Sequence, residues 1–167
     1  GGAGQAVLAQ RAVGSVPADP DMAMRQVFIF HLRSVQGNIQ PILGKLPVKA
    51  LQNGGVDGVL MTNEFSGPFF TDTPKPVFGA MCRVFGEIRH LFTVPYGVET
   101  IADGEGCVEI CAATGASFTR CLFTGAWAGD TGLQQRNIAR TLRLRRELDL
   151  DDLKLCYFIN GEGTTPM

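Results

Sequence analysis

Val27-Phe28-Ile29-Phe30 is a continuous apolar run that ends at His31. Runs without polar alternation are typical of strands that helices cover on both faces of a sheet. Four further runs of this kind follow, at residues 56–61, 94–98, 117–123 and 153–159. The sequence therefore predicts five buried strands.

The segments between these runs predict helices at about residues 39–53, 77–91 and 132–148, and a shorter helix capped by Asp103. Strands that alternate with helices form a parallel sheet, so we expect an α/β fold. The strand starts lie about 31 residues apart on average, a spacing common to (β/α)8 barrels of roughly 250 residues and to doubly wound open sheets. The spacing alone does not separate the two architectures.

The chain has 167 residues, of which 45% are hydrophobic and 19% charged, enough for one domain with a substantial core. Its formal net charge is −1, which gives no overall attraction to nucleic acid, and no run approaches the ~20 apolar residues of a membrane-spanning helix. We expect a cytoplasmic protein with no nucleic-acid partner and no membrane span. Residues 1–26, rich in Gly, Ala and Pro, are interpreted as a flexible lead-in to a domain at 27–167. The alternative is a processed targeting segment for an organelle, either mitochondrion or plastid.

The five cysteines form no CxxC pair, which argues against a disulfide framework and a zinc site. Cys107 and Cys111 share a predicted helical face but lack a nearby third ligand, so we expect no metal site. The cysteines are interpreted as small buried hydrophobes in a reducing compartment. The sequence also lacks the GxGxxG, GxxxxGK[ST], HExxH and GxSxG motifs, which disfavours the corresponding mechanisms.

Polar side chains directly follow the predicted strands, and ligands of parallel α/β proteins bind at such carboxyl ends. The candidate catalytic residues are His31, Asn63, Glu64 and Glu99. The candidate ligand-binding residues are Arg33, Arg120, Thr124, Asp130 and Asn160. If the imidazole of His31 and the carboxylates of Glu64 and Glu99 converge, they permit proton abstraction, hydrolysis or binding of a divalent cation.

Each candidate also has a structural interpretation. His31 could hydrogen-bond a neighbouring carbonyl, and Glu64 could cap the next segment, because residues 63–68 are rich in turn formers. Glu99 could form an ion pair with Arg120. For Asp130, the favoured interpretation is the N-cap of the helix at 132–148.

That last helix carries Arg136, Arg140 and Arg143 on one face, which we interpret as a solvated outer face rather than a nucleic-acid surface. The residues predicted to form its core-facing stripe are Leu133, Ile138, Leu142 and Leu148.

Several short motifs lie at or near the ends of the predicted strands. They are Gln52-x-Gly54-Gly55-Val56-Asp57-Gly58, Asn63-Glu64-Phe65-Ser66-x-Pro68-Phe69, Val94-Pro95-Tyr96-Gly97-Val98, Ala113-Thr114-Gly115-Ala116-Ser117-Phe118, the run FTGAWAGDTGL at residues 123–133, and the strand end His31-Leu32. In this order, over about residues 27–160, they resemble the BtpA/SgcQ family.

The resemblance implies a TIM barrel akin to the ribulose-phosphate-binding group. It also implies a small-molecule enzyme, of phosphosugar or nucleoside type by analogy of fold alone, with its site at the carboxyl ends of the strands. Because the family includes a photosystem I biogenesis factor, a non-catalytic assembly role is the alternative. An inactive fragment is a third.

The sequence departs from the family pattern in three places. Thr62 stands where relatives usually carry a carboxylate, and Val35-Gln36-Gly37 replaces a Pro-Gly loop. Five predicted units also make only a partial barrel, which would need roughly 95 more residues to close. The exposed sheet edges of a partial barrel predict a second copy or a protein partner that covers them.

Overall fold

The computed structural model describes residues 9–12, 27–31, 48–63, 70–100, 102–129, 131–158 and 164–167. Six strands form the main sheet: β1 (Ala9–Ala12), β2 (Val27–His31), β3 (Gly58–Thr62), β4 (Tyr96–Glu99), β5 (Phe118–Cys121) and β8 (Lys154–Tyr157). They lie in this order across the sheet. The five strands from β2 to β8 are mutually parallel, whereas β1, which falls within the predicted lead-in, pairs antiparallel with β2. The predicted α/β class and its five parallel strands are confirmed.

Helices connect the parallel strands: α1 (Val48–Asn53), α2 (Lys75–Ile88), α3 (Gly104–Thr114) and α4 (Ile138–Glu147). A 3-10 turn, Arg89–Leu91, extends α2 and completes the segment predicted at 77–91. Asp103 caps α3, as predicted: its carboxylate accepts a hydrogen bond from the Gly106 backbone N–H. No helix in the described part of the chain is long and apolar enough to cross a membrane.

Strands β3, β4 and β5 are largely buried on both faces of the sheet. Successive side chains of a strand point to opposite faces, so Val59, Met61 and Val98 face the helices and pack in one cluster with residues of α2 and α3. The opposite face carries Leu60 and Phe118, which are equally buried but lie outside that cluster. Polar side chains follow them at the carboxyl ends of the strands, on the face turned away from the helices.

Gly97 shapes this second face. A Cβ at position 97 would lie within 2.7 Å of both the Phe118 ring and the Phe118 carbonyl oxygen. The missing side chain therefore lets the aromatic ring of β5 lie against the backbone of β4. The large, buried side chain of Phe118 fills the space on this face next to the polar residues at the strand ends.

A small antiparallel sheet follows β5, where the sequence predicted the start of a helix. Its strands are β6 (Gly125–Gly129), β7 (Gly132–Arg136) and β9 (Thr164–Pro166), in the order β7-β6-β9. The helix predicted at 132–148 begins only at Ile138, and Asn137 is its N-cap. The N-cap interpretation of Asp130 is therefore wrong, and Asp130 itself lies outside the described residues. Glycine explains the error: Gly125 and Gly132 adopt positive φ angles of 91° and 83°, which suit turns and not helices.

The side-chain pattern predicted for the last helix also needs correction. Arg136 lies on β7, and Leu133 of the same strand is 68% exposed. On α4, Leu142 and the C-cap Leu148 are exposed, whereas Thr141 is buried and Leu144 packs against the core. The inward-facing residues of α4 are Ile138, Thr141 and Leu144 instead of the predicted set. Of the predicted stripe, Ile138 alone packs inward.

Candidate functional site

A row of polar residues crosses the carboxyl ends of the parallel strands. Thr62 of β3 pairs in register with His31 on one side and with Glu99 of β4 on the other. Arg120 of β5 pairs in register with Cys156 of β8. Residues in register on parallel strands point to the same face, so Thr62, Glu99 and Arg120 occupy neighbouring places on the face away from the helices. We call these three residues the polar row.

An ion pair stands at the centre of the polar row. The Arg120 Nε and Nη2 atoms both donate to Oε2 of Glu99, at 3.2 and 2.7 Å. Glu99 is 1% exposed and Arg120 is 22% exposed, so solvent reaches only the arginine. The guanidinium carbon also lies 4.5 Å from the centroid of the Phe158 ring. The carboxylate and the ring together hold the guanidinium in one orientation. The Glu99–Arg120 ion pair is the structural alternative that the sequence raised for Glu99.

Thr62 completes the row on the other side of Glu99. Its side chain is fully buried, and its Oγ1 has no hydrogen-bond partner among the residues that the structure describes. Asn63, the next residue, is also buried. Two polar side chains at the end of β3 are thus held away from water, and one of them, Thr62, is in register with Glu99.

The loop between β4 and α3 begins directly after Glu99 of the polar row and is held in place by hydrogen bonds. The Thr100 N–H donates to the Cys107 sulfur at 3.2 Å, and the Thr100 hydroxyl donates to the Asp103 carbonyl at 3.0 Å. Ala102 has a φ of 66°, a left-handed conformation that is strained for a residue with a Cβ. The Arg136 guanidinium donates to the Ala102 carbonyl, which ties strand β7 to this loop. Strain of this kind is often found beside functional sites.

The thiol next to the row is held in its protonated form. Burial raises the pKa of the Cys156 thiol, and the nearby Arg120 charge only partly opposes this effect. Burial likewise raises the pKa of Cys111 within the core. Because the thiolate is the nucleophilic form of cysteine, neither side chain is suited to nucleophilic catalysis at neutral pH. All five cysteines are free thiols.

The structure brings some of the predicted site residues together. Glu99 and Arg120 are in contact, Asn63 directly follows the neighbouring strand β3, and the backbone of His31 on β2 pairs in register with Thr62. Thr124 is exposed, and its carbonyl accepts a hydrogen bond from the Trp127 indole at 2.8 Å.

Four predicted residues, Arg33, Glu64, Asp130 and Asn160, lie outside the described part of the chain. Their roles, and the convergence of His31, Glu64 and Glu99, remain predictions. Within the described ranges, no three His, Cys, Asp or Glu side chains stand close enough to hold a metal ion. Thr62 was not among the candidates, although its position at the end of an apolar run, one residue before Asn63, was a usable signal.

Comparison with known proteins identifies the family of this chain. The family model described as BtpA family matches residues 37–164. The chain belongs to the BtpA family. No solved structure matches this BtpA-family chain.

Two curated BtpA-family relatives are similar to the chain. The putative sgc region protein SgcQ of Escherichia coli is 31% identical over 164 residues, 97% of this chain and 57% of that protein. The photosystem I biogenesis protein BtpA of Synechocystis is 33% identical over 120 residues, 69% of this chain and 42% of that protein. The chain thus spans about half the length of these relatives.

Proposed function

We propose that this chain carries the small-molecule site of a BtpA-family enzyme, located at the carboxyl ends of β3, β4 and β5. One observation carries the proposal: the polar row places a buried carboxylate, an oriented guanidinium and a buried hydroxyl side by side on one face. Charged and polar groups are rarely buried together at a sheet end without a function, because their desolvation lowers stability.

The strand order supports a barrel as the full architecture. From β2 to β8 the parallel strands follow one another across the sheet in chain order. A doubly wound sheet reverses direction at its switch point, whereas a (β/α)8 barrel does not. In a barrel, the polar row would lie at the C-terminal end of the strands, where such enzymes bind their ligands.

Within this site, Arg120 is the group best placed to bind a ligand, and Glu99 is the residue that positions it. Hydrogen bonds to Glu99 use Nε and Nη2 of the guanidinium, and Nη1 has no acceptor among the described residues. His31 and Glu64 are our candidates for proton transfer, and Asn63 is a candidate catalytic residue that orients the ligand through hydrogen bonds of its amide. A phosphosugar or nucleoside-type ligand follows by analogy of fold.

The test is ligand-induced stabilisation of the purified chain. Melting temperatures are measured with a panel of phosphosugars, nucleosides and divalent cations for the wild type, Glu99→Gln and Arg120→Lys. We expect at least one compound to stabilise the wild type, and both substitutions to remove that shift, because each disturbs the oriented guanidinium. The matched control is Glu109→Gln on the exposed side of α3, which should keep the shift. A silent panel, or a shift that both site variants retain, would contradict the proposal.

A non-catalytic assembly role is the second candidate. Synechocystis BtpA is named for photosystem I biogenesis, and the small sheet of this chain presents the exposed Leu133 on its edge strand β7. If this sheet binds a protein partner, Leu133→Ser should weaken retention of a membrane complex in a pull-down. The same variant should leave ligand-induced stabilisation unchanged, which separates the two functions.

A further inference from the structure

Thr62 is a buried polar residue whose hydroxyl lacks a partner in the described part of the chain. Its side chain is 0% exposed, and it is the last residue of β3. A buried hydroxyl without a hydrogen bond lowers stability, and folded proteins rarely retain one without a reason. The hydroxyl lies in the polar row beside Glu99, and not in the apolar core between sheet and helices.

Thr119 provides the comparison within the same sheet. It is equally buried, but its hydroxyl donates to the Val98 carbonyl at 2.6 Å. Alternation along β5 places it on the helix-facing side, opposite to Phe118 and Arg120. The threonine on the helix side is therefore satisfied within the protein, whereas Thr62 on the site side is not.

We infer that Thr62 is a ligand-binding residue whose hydroxyl hydrogen-bonds a hydroxyl group on a neutral, polyhydroxylated part of the ligand, such as a sugar ring. This inference rests on the proposed function and names the ligand chemistry that the polar row fits.

The charges of the row favour a neutral group. Glu99 already neutralises Arg120, so an anionic group laid over the row would meet the Glu99 carboxylate without gaining a free cation. The row offers the Nη1 donors of Arg120 and the Thr62 hydroxyl, which can both donate and accept. Sugar hydroxyls also donate and accept, and they can therefore bond to both groups at once.

The test uses D-ribose, ribose 5-phosphate and inorganic phosphate as probes, with the wild type, Thr62→Val, Thr62→Ser and the control Thr119→Val. We expect both ribose compounds to stabilise the wild type and Thr62→Ser. Thr62→Val should lose about tenfold in affinity for them, the effect of one lost hydrogen bond to the ligand. Thr119→Val should keep the wild-type affinity.

Melting without ligand gives a separate readout. Because Thr62→Val removes an unpaired buried hydroxyl, its melting temperature should equal or exceed that of the wild type, whereas Thr119→Val should melt lower. If ligand-free Thr62→Val melts as low as Thr119→Val, the hydroxyl has a partner inside the folded chain and the inference is overturned.

The remaining outcomes separate this inference from the proposed function. Wild-type affinity for ribose 5-phosphate in Thr62→Val would overturn the role of Thr62 and leave the site in place. If inorganic phosphate stabilises the wild type and Thr62→Val abolishes that stabilisation, the ligand group that Thr62 binds is anionic, and the inference of a neutral group is overturned. If neither ribose compound stabilises the wild type, the ligand class is wrong, but the proposed function fails only when the wider panel is silent as well.

Discussion

Gly97 illustrates how a single missing side chain sets the geometry beneath the site. A Cβ there would lie within 2.7 Å of the Phe118 ring and carbonyl oxygen. The carbonyl belongs to the backbone of the adjacent strand and cannot turn away. We expect Gly97→Ala to lower the free energy of unfolding by about 2–3 kcal/mol, measured by urea denaturation.

The matched control is Gly86→Ala on the exposed side of α2, where an added Cβ meets nothing within 4 Å. Alanine is the better helix former, so this variant should gain about 0.5–1 kcal/mol. Equal effects of the two substitutions would show that Phe118 does not pack against β4 as described.

Tyr96 makes the stability of the protein fall with rising pH in the alkaline range. Its hydroxyl donates to the Thr114 carbonyl at 2.6 Å, and its ring stacks on Phe92 with centroids 4.7 Å apart. Burial raises the pKa of Tyr96, while the charge of Arg89 partly opposes the rise. The folded state thus favours the protonated phenol. This contribution is complete below the pKa of the unfolded chain, near 10, and is lost as the pH rises through the higher pKa of the folded state.

We therefore expect Tyr96→Phe to lower the free energy of unfolding by about 1 kcal/mol at neutral pH, because the hydrogen bond is lost. The difference from the wild type should shrink as the pH rises above about 10, the ordinary pKa of tyrosine. Urea denaturation of both proteins at several pH values checks this. If the difference between the two free energies of unfolding stays constant as the pH rises above about 10, Tyr96 does not titrate differently in the folded chain.

Among single residues, the sequence raised the Glu99–Arg120 ion pair as an alternative to a catalytic role for Glu99, since Glu99 follows one apolar run and Arg120 lies in the next. It did not place Thr62 among the site residues, for a physical reason. Threonine is common in strands, and only the register reveals that its hydroxyl is buried beside a carboxylate without a partner in the described chain. Register depends on the pairing of distant segments, which a local pattern does not contain.

At the scale of elements, the buried strands were predictable and the small antiparallel sheet was not. The runs that form β3, β4 and β5 are apolar because both faces of the sheet are covered. Strands β6 and β7 have one buried residue each, and glycines stand at both ends of β6 and at the start of β7, so they lack both the apolar run and the alternation that indicate a strand. Their stability comes from pairing with each other and with β9, a contact between residues far apart in the chain.

Two helix caps of unequal quality allow a prediction at this scale. Asp103 accepts from the Gly106 N–H at 2.9 Å and from the Thr73 N–H at 2.7 Å, so it caps α3 and holds the segment before α2. Asn137 caps α4 through a single exposed contact of 3.4 Å. Asp103→Ala should lower the free energy of unfolding by about 2 kcal/mol, and Asn137→Ala by about 0.5 kcal/mol.

Thermal melting of the two variants measures this difference, and Asp103→Asn refines it. An amide has one acceptor oxygen and can accept only one of the two N–H bonds, so its effect should fall between those of wild type and Asp103→Ala. Equal losses for Asp103→Ala and Asn137→Ala would contradict the double role of Asp103.

For the whole molecule, burial falls sharply across the parallel sheet. Every residue of β3 is buried and most of β4 and β5 are, whereas β8 has no fully buried residue and Tyr157 at its end is 38% exposed. Within the described residues, β8 pairs with β5 and with no other strand. Unlike the other parallel strands, β8 therefore has one edge that no described neighbour shields.

Hydrogen exchange of backbone amides should reproduce this gradient in solution. Amides of β3, β4 and β5 open only with much of the sheet, so we expect them to exchange most slowly, those of β8 faster, and those of β6 and β7 fastest. Mass spectrometry of peptides covering each strand, at two protein concentrations at least tenfold apart, makes the measurement. Protection of β8 equal to that of β4 at high concentration, and lost on dilution, would show that a second copy covers the edge. Protection that is equal and independent of concentration would contradict the gradient, because it would require the edge of β8 to be shielded within a single chain.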